Sequence, residues 1–367
     1  MVETTAGVVP FHLERLGVIM SPDQGNPLEV EGVLNPACTR GPDGELYLLP
    51  RLVGARNYSR IGLARVLFRD GDPVGVQRLG VALEPQEAYE RSGDSGGCED
   101  PRVTYVPQLK RYVLTYTAWG PRGPRIAAAV SRNLGAWRRL GLVRFDQEEG
   151  IDFGAYDDKD ALLFPEPVPD PQGRPSLAMI HRPMYRIMEP DGLVRDDVVP
   201  PEARDRRQSM WISYCPLEGL GPGSIDHPLF NQHTLLAAPE QPWERTKIGG
   251  GTPPIRTDEG WLVFYHGVEE DLPGPLGERR VRYSAGVLLL DPTDPRRVLY
   301  RSRDSILAPG TGEATGVVPG VVFPTGVDVR ENGRIDIYYG MADYCIGVAR
   351  TTLPHLLAAP TLHVSMV

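Results

Sequence analysis

The chain has 367 residues, 41% hydrophobic and 24% charged, with 39 Lys and Arg against 48 Asp and Glu and a formal net charge of −9. This acidic balance excludes a non-specific nucleic-acid binder, which needs a basic footprint, and the apolar content excludes a disordered chain. Four widely separated cysteines (Cys38, Cys98, Cys215, Cys345) make no close metal spacing, and the N-terminus has neither a basic segment nor a long apolar stretch, so no metal, no membrane and a reduced, cytoplasmic setting are expected.

Helical periodicity never persists beyond a few turns before Gly or Pro interrupts it. A two-strand unit recurs instead: a short apolar strand, a turn rich in Asp, Gly or Pro, then a strand rich in Leu, Val, Tyr and Phe. The first copy, LNPACTRGPDGELYLLPRLV, spans 34–53, and the second, EDPRVTYVPQLKRYVLTYTAW, spans 99–119. The third spans 158–183 (DKDALLFPEPVPDPQGRPSLAMIHRP), the fourth 250–268 (GGTPPIRTDEGWLVFYHGV) and the fifth 322–343 (VFPTGVDVRENGRIDIYYGMAD). Each contains an opening Pro element: Asn35-Pro36, Asp100-Pro101, Phe164-Pro165, Pro253-Pro254 and Phe323-Pro324. The stretch 200–240 fits poorly and is expected to hold an outer strand over 209–215 and an insertion loop. Residues 351–362 are expected to form a short helix or a closing strand.

Copies recurring at intervals of roughly 65 to 90 residues suit the blades of an all-β propeller better than a helical solenoid. Five copies predict a five-bladed β-propeller, with residues 1–367 forming a single catalytic domain. The alternative, a β-sandwich of ordinary hairpins, leaves the five similar openings unexplained. In a propeller the first strands surround one channel, so the polar residues opening each copy converge.

Asp100, held before Pro101, is a candidate proton donor for glycoside chemistry, or else a turn-capping Asp. Lys159, Arg182 and His266 stand at the edges of copies and together would form an anion site; singly they read as a surface lysine, a salt-bridge partner and a satisfied histidine. His181 should face the other way from Arg182, because strand side chains alternate. Asn35, Arg51, Lys247 and Asp343 suit hydrogen bonds to sugar hydroxyls and equally suit loop satisfaction. Tyr116, Trp119, Trp243, Trp261 and Tyr339 would form a stacking surface for sugars or pack between blades. No phosphate loop or HExxH is present.

The segments LNPA…LYLLPRLV, GCEDPRV…YVLTYTAW, KDALLFPE…MIHRP, WERTKIGGGTPPIRTDEGWLVFYHGV, LLLDPTDPRRVLYRS and FPTGVDV…IYYGMAD resemble glycoside hydrolase family 130, which contains β-mannoside phosphorylases and some β-mannosidases. The resemblance runs in order from about Asn35 to Arg350 and implies a five-bladed β-propeller. It implies inverting phosphorolysis of a β-mannoside to α-mannose 1-phosphate, with Asp100 as general acid acting through a mannose hydroxyl. Inorganic phosphate is then the co-substrate, no cofactor is needed, and one catalytic carboxylate suffices. The family's phosphate positions fall on Lys159, Arg182 and His266, and its sugar-holding positions on Asn35, Arg51, Lys247 and Asp343. Some relatives carry Arg where Lys159 stands, which puts bidentate anion contact in doubt there.

A weak match over 184–207 leaves the acceptor sugar open. The competing readings are an inverting β-mannosidase, in which Glu269 or Glu270 activates water, and a non-catalytic carbohydrate-binding propeller. The expected partners are a carbohydrate and phosphate, without nucleic acid or membrane; a homo-oligomer is compatible with the sequence.

Overall fold

The computed structural model describes residues 13–93, 95–148, 150–189, 192–218, 225, 228–270, 280–313 and 315–352. Among them the regular structure is nearly all β, and the only helical elements are four three-residue 3-10 turns. The hydrogen bonds divide the strands into four sheets. The eight-stranded one is two antiparallel runs joined by a short parallel contact of Tyr58 and Ser59 with Gly96 and Gly97. Gly97 is required there: its φ is +120°, and a Cβ would lie 2.1 Å from the Ser59 carbonyl oxygen.

Five antiparallel units of four main strands result. Their first strands are Gly32–Arg40, Gly96–Val106, Tyr156–Leu163, Lys247–Gly250 and Val322–Val329. Each pairs with the second strand of its copy: Leu46–Gly54, Arg111–Gly120, Pro175–Met188, Trp261–Glu270 and Arg334–Met341. Gly32–Arg40 packs on both Gly96–Val106 and Val322–Val329, and Tyr156–Leu163 packs on Gly96–Val106 and Lys247–Gly250. The strand Glu14–Met20 pairs with Cys345–Thr352 and completes the last unit from the other end of the described chain. Residues 351 and 352 end that closing strand; 353–362 lie outside the described residues.

The core is divided among the gaps between units. Trp261, Val263 and Tyr265 pack against Leu162, Ile180 and Ile212 of the third unit. Leu262 and Phe264, alternating with them, pack against Ile335 and Ile337 of the fifth. A strand buried on both faces has no polar side to show, so WLVFYHGV reads as a continuous apolar run. Other apolar clusters fill the gaps between the first and second, second and third, and fifth and first units.

A repeated ion pair ties the turn entering a unit to that unit's outermost strand. The buried carboxylate of Glu90 accepts from the backbone N–H groups of Gln86 (2.7 Å) and Glu87 (3.0 Å) and from Arg139 Nε (2.9 Å). Glu244 with Arg301, Glu29 with Arg78 and Glu313 with Arg15 repeat the arrangement. Tyr116, Tyr265 and Tyr339 add their hydroxyls to Glu90, Glu244 and Glu313. In the third unit Glu148 instead accepts the backbone N–H groups of Gln232 and His233.

Two sequence expectations need correction. The strand expected over 209–215 is Met210–Pro216, but it is not outermost: it lies between Pro175–Met188 and Leu229–Ala237. The Pro elements of the third and fourth copies are also not equivalent to the first two. The shared feature is a β-bulge, in which two residues face one across the ladder. It falls at Asn35-Pro36, Asp100-Pro101 and Asp160-Ala161, so Phe164-Pro165 lies beyond the third strand. In the fourth unit Gly251 and Thr252 both donate to the Phe264 carbonyl. A bulge needs a particular backbone path, which proline favours but Ala and Gly also adopt.

Candidate active site

Each bulge re-aims one side chain. Asn35, Asp100 and Asp160 all take left-handed φ values of 44°, 46° and 57°. Such backbone strain costs of the order of 1 kcal/mol per residue and persists only where the surroundings enforce it. Asn35 Nδ2 donates to Asp100 Oδ1 at 2.8 Å, and Arg51 Nη1 donates to the same oxygen at 3.2 Å. Arg51 Nη2 donates to Glu99 Oε1 at 2.7 Å. Arg102, fully buried, donates to the Asp100 carbonyl (2.7 Å) and reaches the fourth unit at the carbonyls of Gly250 (3.1 Å) and Gly251 (2.6 Å). The fourth unit's bulge carries glycine and leaves that path open.

A cationic rung stands beside this group. Lys159 and Arg182 are direct cross-strand partners. Lys159 Nζ lies 3.5 Å from Glu99 Oε2 and 4.5 Å from the centre of the Trp119 ring. Arg182 Nε donates to Asp160 Oδ2 at 2.6 Å, and its Nη1 donates to Gln208. His266 Nε2 is 3.6 Å from the same Asp160 oxygen, and neither ring nitrogen has a hydrogen-bond partner among the described residues. The imidazole lies against Phe323 and Tyr283, with ring centres 4.4 and 5.8 Å away. As alternation requires, His181 points to the other face, bonded to Asp158 (2.7 Å) and Ser213 (2.9 Å).

The electrostatics separate the two groups. Burial pushes the Asp100 carboxyl up, but Arg51, Lys159, Arg102 and the Asn35 hydrogen bond together outweigh it and hold the group below its ordinary value. The free site therefore keeps Asp100 as a carboxylate, whereas partial desolvation alone suggests a raised acid. Asp343 goes the other way: burial, with Asp100 and Glu99 adding to it against Arg51, raises it to about 6. Burial and then the Arg182 charge bring Lys247 down to about 7. His266 falls to about 3, by burial first and against the pull of Asp160, so it is neutral.

The predicted residues thus fall into two adjoining sets. Asn35, Arg51 and Asp100 form one, with the Asp343 charge acting on it. Arg182 and His266 form the other around Asp160, and Lys159 stands between them. Lys247 belongs electrostatically with Arg182, Asp160 and Lys159, a different neighbourhood from the sugar-holding set in which the sequence resemblance placed it. Of the five candidate stacking aromatics, Tyr116, Trp243, Trp261 and Tyr339 are buried between units; Trp119 alone carries a site lysine on its ring. Sequence reasoning missed Asp160, Arg102 and Glu99. Aligning the copies on the first residue of the bulge would have matched Asp160 with Asp100. Glu269, a candidate base for hydrolysis, faces the half-exposed Arg282 at 3.9 Å. No cluster of potential metal ligands occurs among the described residues, and no helix there is long and apolar enough to cross a membrane.

A family model described as beta-1,4-mannooligosaccharide phosphorylase matches residues 13–359. The chain is 29% identical over 341 residues to a 1,2-beta-oligomannan phosphorylase of Thermoanaerobacter, covering 90% of this chain and 93% of that one. It is 32% identical over 269 residues to a beta-1,2-mannobiose phosphorylase of the same organism, covering 72% and 68%. Its fold matches the beta-1,2-mannobiose phosphorylase of Listeria innocua in complex with beta-1,2-mannobiose, with a TM-score of 0.69, 21% identity and coverage of 95% and 99%.

Proposed function

The chain belongs to glycoside hydrolase family 130 and is an enzyme of that family, and from that premise we propose that it cleaves a β-mannoside by inverting phosphorolysis. The observation that carries this reading is the Lys159–Arg182 rung, half-buried at Lys159 and buried at Arg182, with Lys247 acting on it electrostatically, adjoining the strained carboxylate Asp100. A phosphate oxygen attacks the anomeric carbon as the bond from that carbon to the glycosidic oxygen breaks. The departing oxygen takes a proton delivered from Asp100, and the products are α-mannose 1-phosphate and the shortened acceptor.

Lys159, Arg182 and Lys247 supply positive charge for phosphate, and His266 supplies a neutral ring nitrogen. Asp160 orients Arg182 and stands near His266 while balancing their site. Asn35, Arg51 and Asp343 contact the mannose. Asp100 must be protonated to act as an acid. An incoming phosphate monoanion offsets the cations that depress its pKa and brings a proton with it, so the free carboxylate is the resting form and the ternary complex the acidic one.

The test is cleavage of β-mannosides with and without phosphate. Phosphate-dependent release of mannose 1-phosphate supports the proposal; free mannose at the same rate without phosphate selects the hydrolase. Arg182→Ala should raise the phosphate KM about 10–150-fold, the worth of one charge-assisted hydrogen bond.

A further inference from the structure

A chain of hydrogen bonds runs behind the Lys159–Arg182 rung, and the proposed reaction does not use it. Asp158 and His181 each stand next in sequence to a rung residue and meet on the opposite face of the two strands. Asp158 Oδ2 is 2.7 Å from His181 Nδ1, and His181 Nε2 is 2.9 Å from Ser213 Oγ. The same oxygen is 2.8 Å from His233 Nδ1, and His233 Nε2 is 2.9 Å from the backbone carbonyl of Asp146. Asp158, His181 and Ser213 are buried, and the rings of Phe145 and Phe153 lie 4.9 and 5.0 Å from that of His181. Glu148 and Asp146 are the other charges acting on the His233 end; Lys159 and Arg182 stand across the strands.

Four hydrogen bonds need four hydrogens. Two neutral imidazoles and one serine bring three, and an ionised Asp158 brings none, so the chain is complete only with one additional proton. The Asp146 carbonyl can only accept, so His233 Nε2 carries a hydrogen. Burial holds the His233 pKa below its ordinary value, so that ring is neutral and its Nδ1 accepts from the Ser213 hydroxyl. Ser213 then accepts from His181 Nε2–H, and the last proton lies between Asp158 and His181 Nδ1. Imidazole is the stronger base of the two, which makes His181 an imidazolium against an Asp158 carboxylate. The Asp158 charge is felt at the rung: burial opposes the Arg182 charge, Asp160 supports it most, and Asp158 also supports it.

We propose that His181 is a positioning residue of the anion site: as an imidazolium between Asp158 and Ser213 it cancels the Asp158 charge behind the rung and leaves the charge of Lys159 and Arg182 to phosphate. The inference rests on the phosphate reading above. It is tested on the full chain with His181→Gln, which leaves Asp158 uncompensated, and with the double variant Asp158→Asn/His181→Gln, which is neutral again. His181→Gln should raise the phosphate KM about 3–15-fold, as one uncompensated charge near a bound anion does, with the mannoside KM little changed. The double variant should return the phosphate KM toward wild type. At pH 7, NMR of wild type labelled with nitrogen-15 histidine should show both His181 ring nitrogens protonated and one His233 nitrogen bare.

A double variant no better than His181→Gln marks two packing defects and overturns the proposal, as does an equal rise in the mannoside KM or an unprotonated His181 nitrogen in wild type. The NMR needs no variant, so it decides where a variant fails to fold. If wild type phosphorolyses no mannoside, the reading above has itself failed. Calorimetric titration with inorganic phosphate then decides the role of His181: binding weakened in His181→Gln and restored in the double variant supports it, and equal or absent binding overturns it.

Discussion

Asn35 Nδ2 donates to Asp100 Oδ1 across 2.8 Å, although the two residues are 65 positions apart and belong to different units. Each is the left-handed residue of its own bulge, so the contact joins equivalent points of two repeats. The bulge turns a structural period into a site by bringing one side chain from each of the first three repeats, Asn35, Asp100 and Asp160, toward a common centre. It explains how one carboxylate comes to be held by neighbours remote in sequence.

The role of Asp100 gives the first prediction. Asp100→Asn keeps the shape and much of the hydrogen bonding but removes the transferable proton. Turnover of an unactivated β-mannoside should fall about 10²–10⁴-fold, with a much smaller change in KM. Steady-state kinetics of the variant checks it, and near wild-type turnover would show that Asp100 is not the acid.

Gly249 guards the anion set. Its backbone has no left-handed requirement, but a Cβ there would lie 2.4 Å from Asp160 Oδ2, 2.5 Å from His266 Cε1 and 2.8 Å from Arg182 Nε. Gly249→Ala should therefore displace all three groups at once and weaken phosphate binding at least as much as Arg182→Ala. Phosphate titration of the folded variant measures this, and a normal phosphate KM would sink it.

Lys247 should make phosphate use depend on pH. Burial and Arg182 depress its pKa to about 7, so its positive charge is present below pH 7 and lost above. The phosphate KM should rise as pH goes from 6 to 8.5. Phosphate's own ionisation is common to all variants, so the part due to Lys247 is the part that Lys247→Gln abolishes. Superimposable KM profiles for the two proteins would refute the assignment.

Glu90 bears on stability rather than chemistry. Glu90→Ala would leave Arg139 and Tyr116 without their buried partner, and breaking such a pair costs about 3–5 kcal/mol. Burial pushes Glu90 up, but Arg139 and the backbone N–H groups bring it below its ordinary 4.5. The folded carboxylate is therefore favoured: its contribution is full above pH 4.5 and is lost as pH falls through the depressed folded value. Denaturant melts at pH 7 and at acid pH test both points; the gap between variant and wild type should narrow in acid.

The linear sequence by itself determined an all-β chain, since short apolar strands and Gly- and Pro-rich turns leave no room for long helices. It also marked the strand pairs of five copies and most charged residues of the site, including Asp100, Lys159 and Arg182. Local pattern suffices there because strand pairing within a copy is set by neighbouring segments and their turns. Only the tertiary structure decided which residue of each copy faces the centre, because a one-residue bulge reverses which side chain points inward and leaves little trace in composition. Asp160 escaped for that reason, and Phe164-Pro165 stood in its place. Ionisation was equally out of reach: Asp100 and Asp343 are the same residue type, yet one is held down by Arg51, Lys159 and Arg102 while burial dominates the other. That difference depends on distances between units, which no spacing along the chain encodes.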